Sequence, residues 1–440
     1  MRFKNYTILL MLLFTLLCFN VAYAAEKPEI VDLNSAYSYL SDDYYTKAIQ
    51  LVEKYPDILY LEVLGQSYDG KPIYVVIMTE NTKETLKRDD LNVYRMHYLI
   101  EAGTHARETV NPAIVLKIIE DYAIDYYNDG HIKEFNVKDE LSIAVIHFIP
   151  LLNPDGHDLA KIGLASVETE VGKQIINSIK DKNYSEWKAN LRGVDINRNF
   201  PDRYLDKTTK QWIEKWQKYP AFLYSKIPSG SYYPGPYAGS ETETQILMNY
   251  MTRYDFRNYL TYHSRGQVVY YDWYYAPETF NNRAYVLGEI VNNITGYGIQ
   301  STTTGNGSGY DNEYFSANLL KPGITVETVS YSVKTPIPQE YYRKTYDLAY
   351  LLPLYFVKAG REAGYNKYRL YVNNNYVRDY FDYDYALAHM KDLGGEIIEG
   401  EGTPKMHLVE PEASKELELW PKGLKLLQEY LPVLKIIQNS

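Results

Sequence analysis

The sequence predicts an α/β fold, a mixed sheet flanked by helices, with a small α+β module at its C-terminal end. Apolar runs of strand length, such as YRMHYLIEAG and LSIAVIHFIPLLNPDG, alternate with longer runs of helical spacing between residues 27 and 360. Strands that alternate with helices are typical of such sheets. Apolar residues make up 45% of the 440 residues, which is enough for one large domain and a small one.

The individual elements follow from hydrophobic periodicity and from turn residues. SAYSYLSDDYYTKAIQLVEKYP has helical spacing, and LYLEVLGQSYDGKPIYVVIMTEN predicts two strands around an Asp69-Gly70 turn. NPAIVLKIIEDYAIDYYND predicts a helix with Asn111 at the N-cap and Pro112 at the first helical position. NYLTYHS and GITVETV predict further strands, and QEYYRKTYDLAYLLPLYFVKAG predicts a closing helix that is interrupted at Pro353.

The charge and the N-terminal segment limit the functional class. A formal net charge of −10 argues against nucleic-acid binding, which usually requires a basic surface. MRFKNYTILLMLLFTLLCFNVAYA has a basic start, an apolar run and a small-x-small end at Ala24, as secretory signal peptides do. This pattern predicts a secreted or wall-associated protein without a membrane span after cleavage, the alternative being an uncleaved anchor. The single cysteine, Cys18, lies in this segment, so we expect a mature chain without thiol chemistry.

A domain boundary is predicted close to the segment AGREAGYNKY. After it, KYRLYVNNNYVRDYF predicts a hairpin, DYDYALAHMKDLGG a short helix, EIIEGEG a strand and SKELELWPKGLKLLQEYLPVLKII a last amphipathic helix. The expected organisation is therefore a signal peptide over residues 1–24, a large domain over residues 25–362 and a small module over residues 363–440.

Two of the eight histidines stand at the ends of predicted strands. His105 follows YRMHYLIEAG within GTHARE, three residues before Glu108, and His263 closes NYLTYHS. Glu327 ends a third strand, GITVET, and ligands of open α/β sheets bind beyond such strand ends. Two imidazoles, a carboxylate and an open position form a typical catalytic zinc shell, to which a second acid adds a base. The H-x-x-E spacing by itself is also compatible with an ordinary polar turn.

The other histidines are expected to serve the fold. Core positions are predicted for His97 and His147, surface positions for His131, His389 and His407, and a loop position for His157.

Six motifs in order resemble the zinc carboxypeptidase family of metallopeptidases. They are GQSYDGKPIYVV, GTHARE, NPDG, WKANLRGVDINRNF, YHSRGQVVYY and GITVET, and the resemblance covers about residues 37–360. It implies the mixed sheet of that family and an enzyme that hydrolyses amide bonds with one zinc ion.

The resemblance also implies a role for each matching residue. His105, Glu108 and His263 would bind zinc, and Glu327 would act first as general base and then as general acid. Asn197 and Arg198 would hold a substrate carboxylate, Arg107 would line the substrate groove, and Asp195 would orient His105. For Arg107 and Asp195, a surface ion pair is the alternative.

The chain departs from the family pattern at two places. Many members carry an arginine shortly after the tryptophan that is Trp187 here, and this arginine helps to stabilise the oxyanion. In this chain Lys188 follows directly and Arg192 further on, so either is expected to supply the charge. The substrate-facing tyrosine of the family could be Tyr310 or Tyr314 in GSGYDNEYFSANLLKPG.

The segments around Trp187 and His263 resemble those of bacterial γ-D-glutamyl-diaminopimelate peptidases. This implies a peptide or muropeptide substrate and contact with the cell wall. The alternatives are a carboxypeptidase that removes C-terminal residues from peptides and, in another class, a catalytically inactive wall-binding protein. Since the C-terminal module contains none of the site residues, its removal after about Gly364 is expected to leave zinc binding intact.

Overall fold

The computed structural model describes residues 29–86, 95–206, 208–215, 225–272, 276, 278–301, 309–373 and 375–404. The predicted signal peptide, His407 and the predicted last helix at residues 414–437 lie outside the described residues. Within the described residues, no helix is both long enough and apolar enough to cross a membrane.

The described part of the chain alternates between helices and strands. The helices are α1 (Ser41–Lys54), α2 (Thr82–Thr85), α3 (Val110–Tyr127), α4 (Val137–Ile143), α5 (Pro154–Ile162), α6 (Glu170–Ser178), α7 (Thr242–Arg253), α8 (Glu278–Thr295), α9 (Asp311–Leu319), α10 (Glu340–Ala349), α11 (Leu352–Ala363) and α12 (Tyr383–Leu393). The strands are β1 (Leu59–Gln66), β2 (Pro72–Met78), β3 (Met96–Ala102), β4 (His131–Ile132), β5 (Phe135–Asn136), β6 (Ala144–Ile149), β7 (Asp202–Leu205), β8 (Trp212–Lys215), β9 (Phe256–Ser264), β10 (Val268–Tyr270), β11 (Gly298–Gln300), β12 (Gly323–Thr328), β13 (Tyr368–Val372), β14 (Asn375–Tyr380) and β15 (Glu396–Glu399).

A mixed sheet forms the centre of the fold. Among the described residues it has eight strands in the order β1-β2-β6-β3-β9-β12-β10-β11. The strands β6, β3, β9 and β12 run parallel. The strands β1 and β2 pair in antiparallel fashion with their neighbours, and β10 is antiparallel to β12 and parallel to β11. The predicted α/β class is confirmed. Because the carboxyl ends of parallel strands meet at one edge, the residues that end β3, β9 and β12 come together there.

Helices cover both faces of this sheet. Tyr74, Val76 and Met78 of β2 belong to one apolar cluster, and the alternate residues Ile73 and Val75 belong to another. Side chains of a strand point alternately to the two faces, so the two clusters lie on opposite faces of the sheet. The first cluster contains most of α3, and the second contains apolar residues of α7 and α9.

Several predicted turns and interruptions are confirmed. The strands β1 and β2 flank the Asp69-Gly70 turn, where Gly70 has a φ of +90°. The predicted closing helix is divided into α10 and α11, and Pro353 lies in the first turn of α11. Proline lacks the N–H that would continue a helix and is well tolerated in a first turn.

Three predictions about single residues were wrong. His157 was expected in a loop but is buried within α5. The helix α3 begins at Val110 with Thr109 as its N-cap, and the Asn111 side chain donates instead to the carbonyl oxygen of Tyr262 at 3.3 Å. His389 was expected at the surface but is buried between the rings of Trp212 and Tyr380. The contacts of Asn111 with Tyr262 and of His389 with Trp212 have no local sequence signal, because each joins segments far apart in the chain.

The C-terminal segment forms a small sheet with one helix. The strands β13, β14 and β15 make a three-stranded sheet among the described residues, and α12 packs against it. Leu370 and Tyr380 join the same apolar cluster as the first face of the central sheet. The predicted α+β module is confirmed as a fold element, and the domain boundary at residue 362 stays a prediction.

Candidate metal and catalytic site

Three neighbouring strand ends position the candidate site. After β3 the chain turns at Gly103, which has a φ of +77°, and a Cβ atom there would lie 2.7 Å from the Leu151 side chain. This turn leads directly to His105. His263 and Glu327 are paired in register on the adjacent parallel strands β9 and β12. The order of the strands therefore brings the His263 imidazole and the Glu327 carboxylate close to His105, where the segment His105–Glu108 begins.

Two imidazoles and one carboxylate converge at this point. The Nδ1 atom of His105 lies 2.9 Å from Oε1 of Glu108 and 3.0 Å from Nδ1 of His263. Nδ1 of His263 lies 3.2 Å from Oε2 of Glu108, and all three side chains are buried. This donor set fits a zinc ion, which prefers imidazole nitrogen and carboxylate oxygen. The assignment of these residues as ligands stays a prediction.

Asp195 contacts the other nitrogen of His105. Its Oδ1 atom lies 3.2 Å from Nε2 of His105, and its Oδ2 atom accepts the main-chain N–H of Tyr232 at 3.0 Å. Burial opposes ionisation of Asp195, but the His105 imidazole and the Arg198 guanidinium hold the pKa of this carboxyl below its usual range. A carboxylate at this position selects the tautomer that presents Nδ1 of His105 to a metal.

Glu108 is held in place by the end of β9. The main-chain N–H of Ser264 donates to Oε2 of Glu108 at 2.9 Å. Burial acts against its charge, yet the imidazoles of His105 and His263 set the pKa of Glu108 well below its usual range. Glu108 is therefore an ionised carboxylate at neutral pH, as metal binding requires.

Glu327 has the properties of a general base. Burial raises the pKa of Glu327, the Glu108 carboxylate adds to this effect, and the charges of His263 and Lys188 oppose it. Its Oε2 atom accepts no hydrogen bond from the described residues. A carboxylate with a raised pKa and an unused oxygen next to a metal site is suited to accept a proton from water.

Asn197 and Arg198 lie together in the short helical turn Ile196–Arg198. Oδ1 of Asn197 accepts the main-chain N–H of Asp311 at 3.0 Å, so the amide NH₂ is the donor that remains for a ligand. The Arg198 guanidinium lies 4.5 Å from the ring centre of Tyr310 and 5.7 Å from that of Tyr232. Nη1 of Arg198 donates to the Asn197 carbonyl oxygen at 2.6 Å, and stacking on aromatic rings fixes the plane of a guanidinium.

The structure distinguishes between the alternative cations. The charge of Lys188 lowers the pKa of both Glu327 and Asp195, and its Nζ atom lies 5.6 Å from the ring centre of Tyr232, the ring that the Arg198 guanidinium also contacts. The Arg192 guanidinium is directed elsewhere, because its Nη1 atom pairs with Oε1 of Glu241 at 3.3 Å. The structure thus does not support Arg192 as the oxyanion partner, and Lys188 stays a prediction.

The two candidate tyrosines also differ in their surroundings. Tyr310 is half-buried beneath the Arg198 guanidinium. Tyr314 is buried in the apolar core, with its ring 5.8 Å from that of Phe200. The structure does not support Tyr314 as a substrate-facing residue, because its ring lies within a packed cluster. Tyr310 stays a prediction.

Arg107 forms the ion pair that was its alternative interpretation. Its Nη1 atom lies 2.6 Å from Oε2 of Glu186, and the two side chains are 20% and 40% exposed. The ion pair lies next to His105 and Glu108, because Arg107 stands between them in the sequence. A role for Arg107 in the substrate groove stays a prediction.

The sequence analysis did not identify Asp311 as a site residue. Its buried carboxylate places Oδ2 3.8 Å from Nε2 of His263. The residue stands next to Tyr310 in a segment that was interpreted only for its tyrosines. An acidic residue at the start of a buried helix, two residues after Gly309, was the available signal.

We expect the purified protein to carry about one zinc ion per chain, as three-ligand catalytic sites do. His263→Ala should lose this ion, because one of the three converging donors is removed. Metal analysis after gel filtration measures the content. His131→Ala changes an exposed histidine far from the site and should retain zinc. A His263→Ala protein with full zinc content would contradict the ligand assignment.

Comparison with known proteins places the chain in a known group. The model of a protein family described as "Zinc carboxypeptidase" matches residues 44–362. Gamma-D-glutamyl-L-diamino acid endopeptidase 1 of Lysinibacillus sphaericus is 28% identical over 292 residues, which are 64% of this chain and 66% of that protein. Carboxypeptidase B2 of Rattus norvegicus is 25% identical over 332 residues, 74% of this chain and 66% of that protein. The matches thus span just under two thirds of these relatives' own length.

Solved structures share the fold. The crystal structure of thrombin activatable fibrinolysis inhibitor superposes with a TM-score of 0.57 at 19% identity, covering 76% of this chain and 77% of that one. Carboxypeptidase A from Helicoverpa armigera superposes with a TM-score of 0.53 at 16% identity, covering 78% and 77%. The mixed sheet that the resemblance implied is confirmed.

Proposed function

We propose, since this chain belongs to the zinc carboxypeptidase family, that it is a zinc-dependent peptidase that hydrolyses amide bonds. The observation that carries the proposal is the convergence of His105, Glu108 and His263 within 4.8 Å, beside Glu327 on the adjacent strand. A binding protein without catalysis would not need the base in addition to the ligands. The complete set therefore argues against the inactive alternative.

In the proposed mechanism, three side chains act beside the metal. When bound, zinc supplies a Lewis acid that lowers the pKa of water to about 7. Glu327 accepts the proton of the attacking water and then donates it to the leaving nitrogen. The Lys188 ammonium group, whose charge lowers the pKa of Glu327, offsets the negative charge that develops on the carbonyl oxygen. Asp195 holds His105 in the required tautomer throughout.

Asn197 and Arg198 are proposed to bind the carboxylate of the leaving residue. An amide NH₂ and a stacked guanidinium can grip one carboxylate from two sides. Both residues lie in one short turn. The hydrogen bond from the main-chain N–H of Asp311 to Oδ1 of Asn197 sets the orientation of this turn. Binding at this turn would fix which amide bond reaches Glu327.

We further propose that the substrate is the bond between γ-D-glutamate and a diamino acid in peptidoglycan stem peptides. The name of the Lysinibacillus relative supports this class. A diamino acid presents an ammonium group as well as a carboxylate. Glu313, buried in the first turn of α9, lies within electrostatic reach of Arg198, and burial together with Asp202 raises its pKa. An entering ammonium group would favour the ionised form of Glu313.

The site of action is proposed from the N-terminal segment. Residues 1–24 have the pattern of a secretory signal peptide, and peptidoglycan lies outside the cytoplasm. Export to the cell wall or the medium therefore agrees with the proposed substrate. Western blotting of culture fractions with an antibody to the described domain tests this localisation.

The alternative function is that of an ordinary carboxypeptidase, which the names of several relatives favour. Mass spectrometry of the products from defined tri- and tetrapeptide stems, beside an unmodified α-linked peptide, separates the two functions. Cleavage of the stems before the diamino acid supports the proposal. Efficient trimming of the α-linked peptide with the stems untouched would establish the alternative.

Arg198→Ala is expected to lower kcat/KM about 10- to 100-fold, because charge-assisted hydrogen bonds to a carboxylate contribute roughly 1.5–3 kcal/mol. Substrates whose leaving residue is amidated should lose the same factor with the parent enzyme and little more with the variant. Arg343→Ala, which removes an exposed arginine paired with Asp347, should behave as the parent. Equal losses on free and amidated substrates in Arg198→Ala would contradict the assignment.

A further inference from the structure

A buried polar cluster lies behind the candidate metal site. It consists of Glu101 at the end of β3, Tyr259 and Thr261 on β9, and Asp311 at the start of α9. All four residues are less than 1% exposed. The cluster faces the side of the His263 ring that is opposite to Nδ1, since Asp311 lies closest to Nε2. The residues implied by the family resemblance do not include any of the four.

The two candidate imidazole ligands differ at their outer nitrogen. Nε2 of His105 lies 3.2 Å from Asp195. Nε2 of His263 is buried and forms no hydrogen bond with any described residue. An imidazole that binds a metal through Nδ1 keeps its proton on Nε2, and metal-bound histidines almost always donate this proton to an acceptor. His263 therefore requires an acceptor that the described hydrogen bonds do not include.

Asp311 is better placed than Glu101 to be this acceptor. The oxygens of Glu101 already accept hydrogen bonds from Thr104 at 2.9 Å and from Thr261 at 2.6 Å. Oδ2 of Asp311 lies 3.8 Å from Nε2 of His263 and accepts one bond, from the Tyr259 hydroxyl at 3.0 Å. A carboxylate oxygen can accept two hydrogen bonds. A side-chain rotation that shortens this separation by less than an ångström, as an order-of-magnitude estimate, would form the bond.

We propose that Asp311 is a positioning residue whose carboxylate accepts the Nε2 proton of His263 and so directs Nδ1 of that imidazole towards the metal. The proposal rests on the proposed function, in which His263 binds zinc. It makes the site symmetrical, because Asp195 acts in the same way on His105. The carboxylate holds the ring in one orientation and increases its basicity as a ligand.

The same residue connects the metal site to the carboxylate-binding turn. The main-chain N–H of Asp311 donates to Oδ1 of Asn197 at 3.0 Å. The ring of the preceding residue, Tyr310, contacts the Arg198 guanidinium. The side chain of Asp311 thus serves the metal, and its main chain serves the substrate turn. A change of the side chain alone should affect zinc binding and leave the main-chain bond in place.

Asp311→Asn tests the proposal, because the amide has nearly the same shape without the charge. We expect its zinc affinity, measured by competition with a chromogenic chelator, to fall about 10- to 100-fold. The melting temperature of its zinc-free form should not fall. At saturating zinc, KM for a peptide substrate should stay within about threefold, since the main-chain bond to Asn197 is retained.

Glu101→Gln is the matched control within the same cluster. Its zinc affinity should stay within about threefold of the parent value, because Glu101 is not the proposed partner of His263. An equal loss in both variants would overturn the proposal, and so would an Asp311→Asn protein with unchanged zinc affinity and a lower melting temperature. Two zinc ions per parent chain, with one lost in Asp311→Asn, would also overturn it by making the cluster a second metal site.

A measurement on the unaltered protein covers the case in which Asp311→Asn does not fold. Zinc titration of protein labelled with ¹⁵N-histidine should produce two slowly exchanging imidazole N–H signals that appear only with zinc, one from His105 and one from His263. A single signal would contradict the bond to Asp311. If the parent protein binds no zinc at all, the proposed function fails. If it binds zinc but gives one signal, only the role of Asp311 fails.

Discussion

Glu327→Gln is expected to bind zinc as tightly as the parent protein and to lose about 10²- to 10⁴-fold in kcat, the usual contribution of a general base. The amide has nearly the same volume as the carboxylate but cannot accept the proton of water. Glu327 is paired in register with His263 without being one of the three converging donors. Loss of turnover without loss of metal is therefore the expected signature. Single-turnover assays with a stem peptide, beside metal analysis, measure both quantities.

The control for this variant is Glu340→Gln, which changes an exposed carboxylate at the start of α10 and should keep full activity. A decrease of only a few-fold in Glu327→Gln would mean that the base lies elsewhere. Loss of zinc from the variant would instead indicate that Glu327 contributes to metal binding.

The second large effect is expected on stability, at a buried ion pair between the C-terminal module and the central sheet. The Asp379 carboxylate on β14 accepts a hydrogen bond from Nη1 of Arg257 at 2.7 Å and another from the ammonium group of Lys321. The Lys321 ammonium group also donates to the Asp379 carbonyl oxygen at 2.6 Å. The three side chains are at most 4% exposed. Arg257 lies on β9 and Lys321 just before β12, the strands that carry His263 and Glu327.

Asp379→Asn is expected to lower the free energy of unfolding by about 3–5 kcal/mol, because two buried cations, Arg257 and Lys321, then share the single carboxylate of Asp255. Urea unfolding measures this change. Asp384→Asn is the matched control, since Asp384 forms a surface pair with Lys210 in which both side chains are over 40% exposed. Such pairs contribute about 1 kcal/mol or less. Equal effects of the two substitutions would contradict a special role for Asp379.

The effect of Asp379 should also depend on pH. Burial disfavours its charge, but Arg257 and Lys321 hold the pKa of Asp379 below its usual range. A group with a lowered folded-state pKa stabilises the protein above its unfolded-state pKa, and this contribution is lost as the pH falls towards the folded-state value. The difference between the parent and Asp379→Asn should therefore be largest near neutral pH and decrease in acid.

This ion pair changes the expectation for removal of the C-terminal module. The sequence predicted that a chain ending at about Gly364 would keep its zinc, because the module contains no site residue. Such a chain would also lack Asp379 and expose the apolar surface that Leu370 and Tyr380 cover. We now expect the shortened protein to be destabilised at the strands that carry His263 and Glu327.

The strands and the main site residues could be predicted from the sequence because they depend on local pattern. Apolar runs of strand length mark β3, β9 and β12, and parallel strands bring their carboxyl ends to one edge. His105, His263 and Glu327 stand at those ends, so their convergence followed without knowledge of distances.

The choice between neighbouring candidates needed the tertiary structure. Lys188 and Arg192 lie four residues apart, and both follow Trp187. Arg192 pairs with Glu241, which is buried just before α7. Tyr310 and Tyr314 differ because one contacts Arg198 and the other enters the apolar core. A local pattern contains no information about a partner about fifty residues away.

The sequence by itself predicted the α/β class, many of its strands and helices, and a set of two imidazoles, a ligand carboxylate and a base, whose roles stay predictions. Only the tertiary structure placed Asp311 behind His263 and Asp379 between Arg257 and Lys321, residues 122 and 58 positions distant in the chain. Periodicity records whether a side chain is buried, because burial repeats with the turn of a helix or the alternation of a strand. Which buried charges meet depends on how the elements pack together.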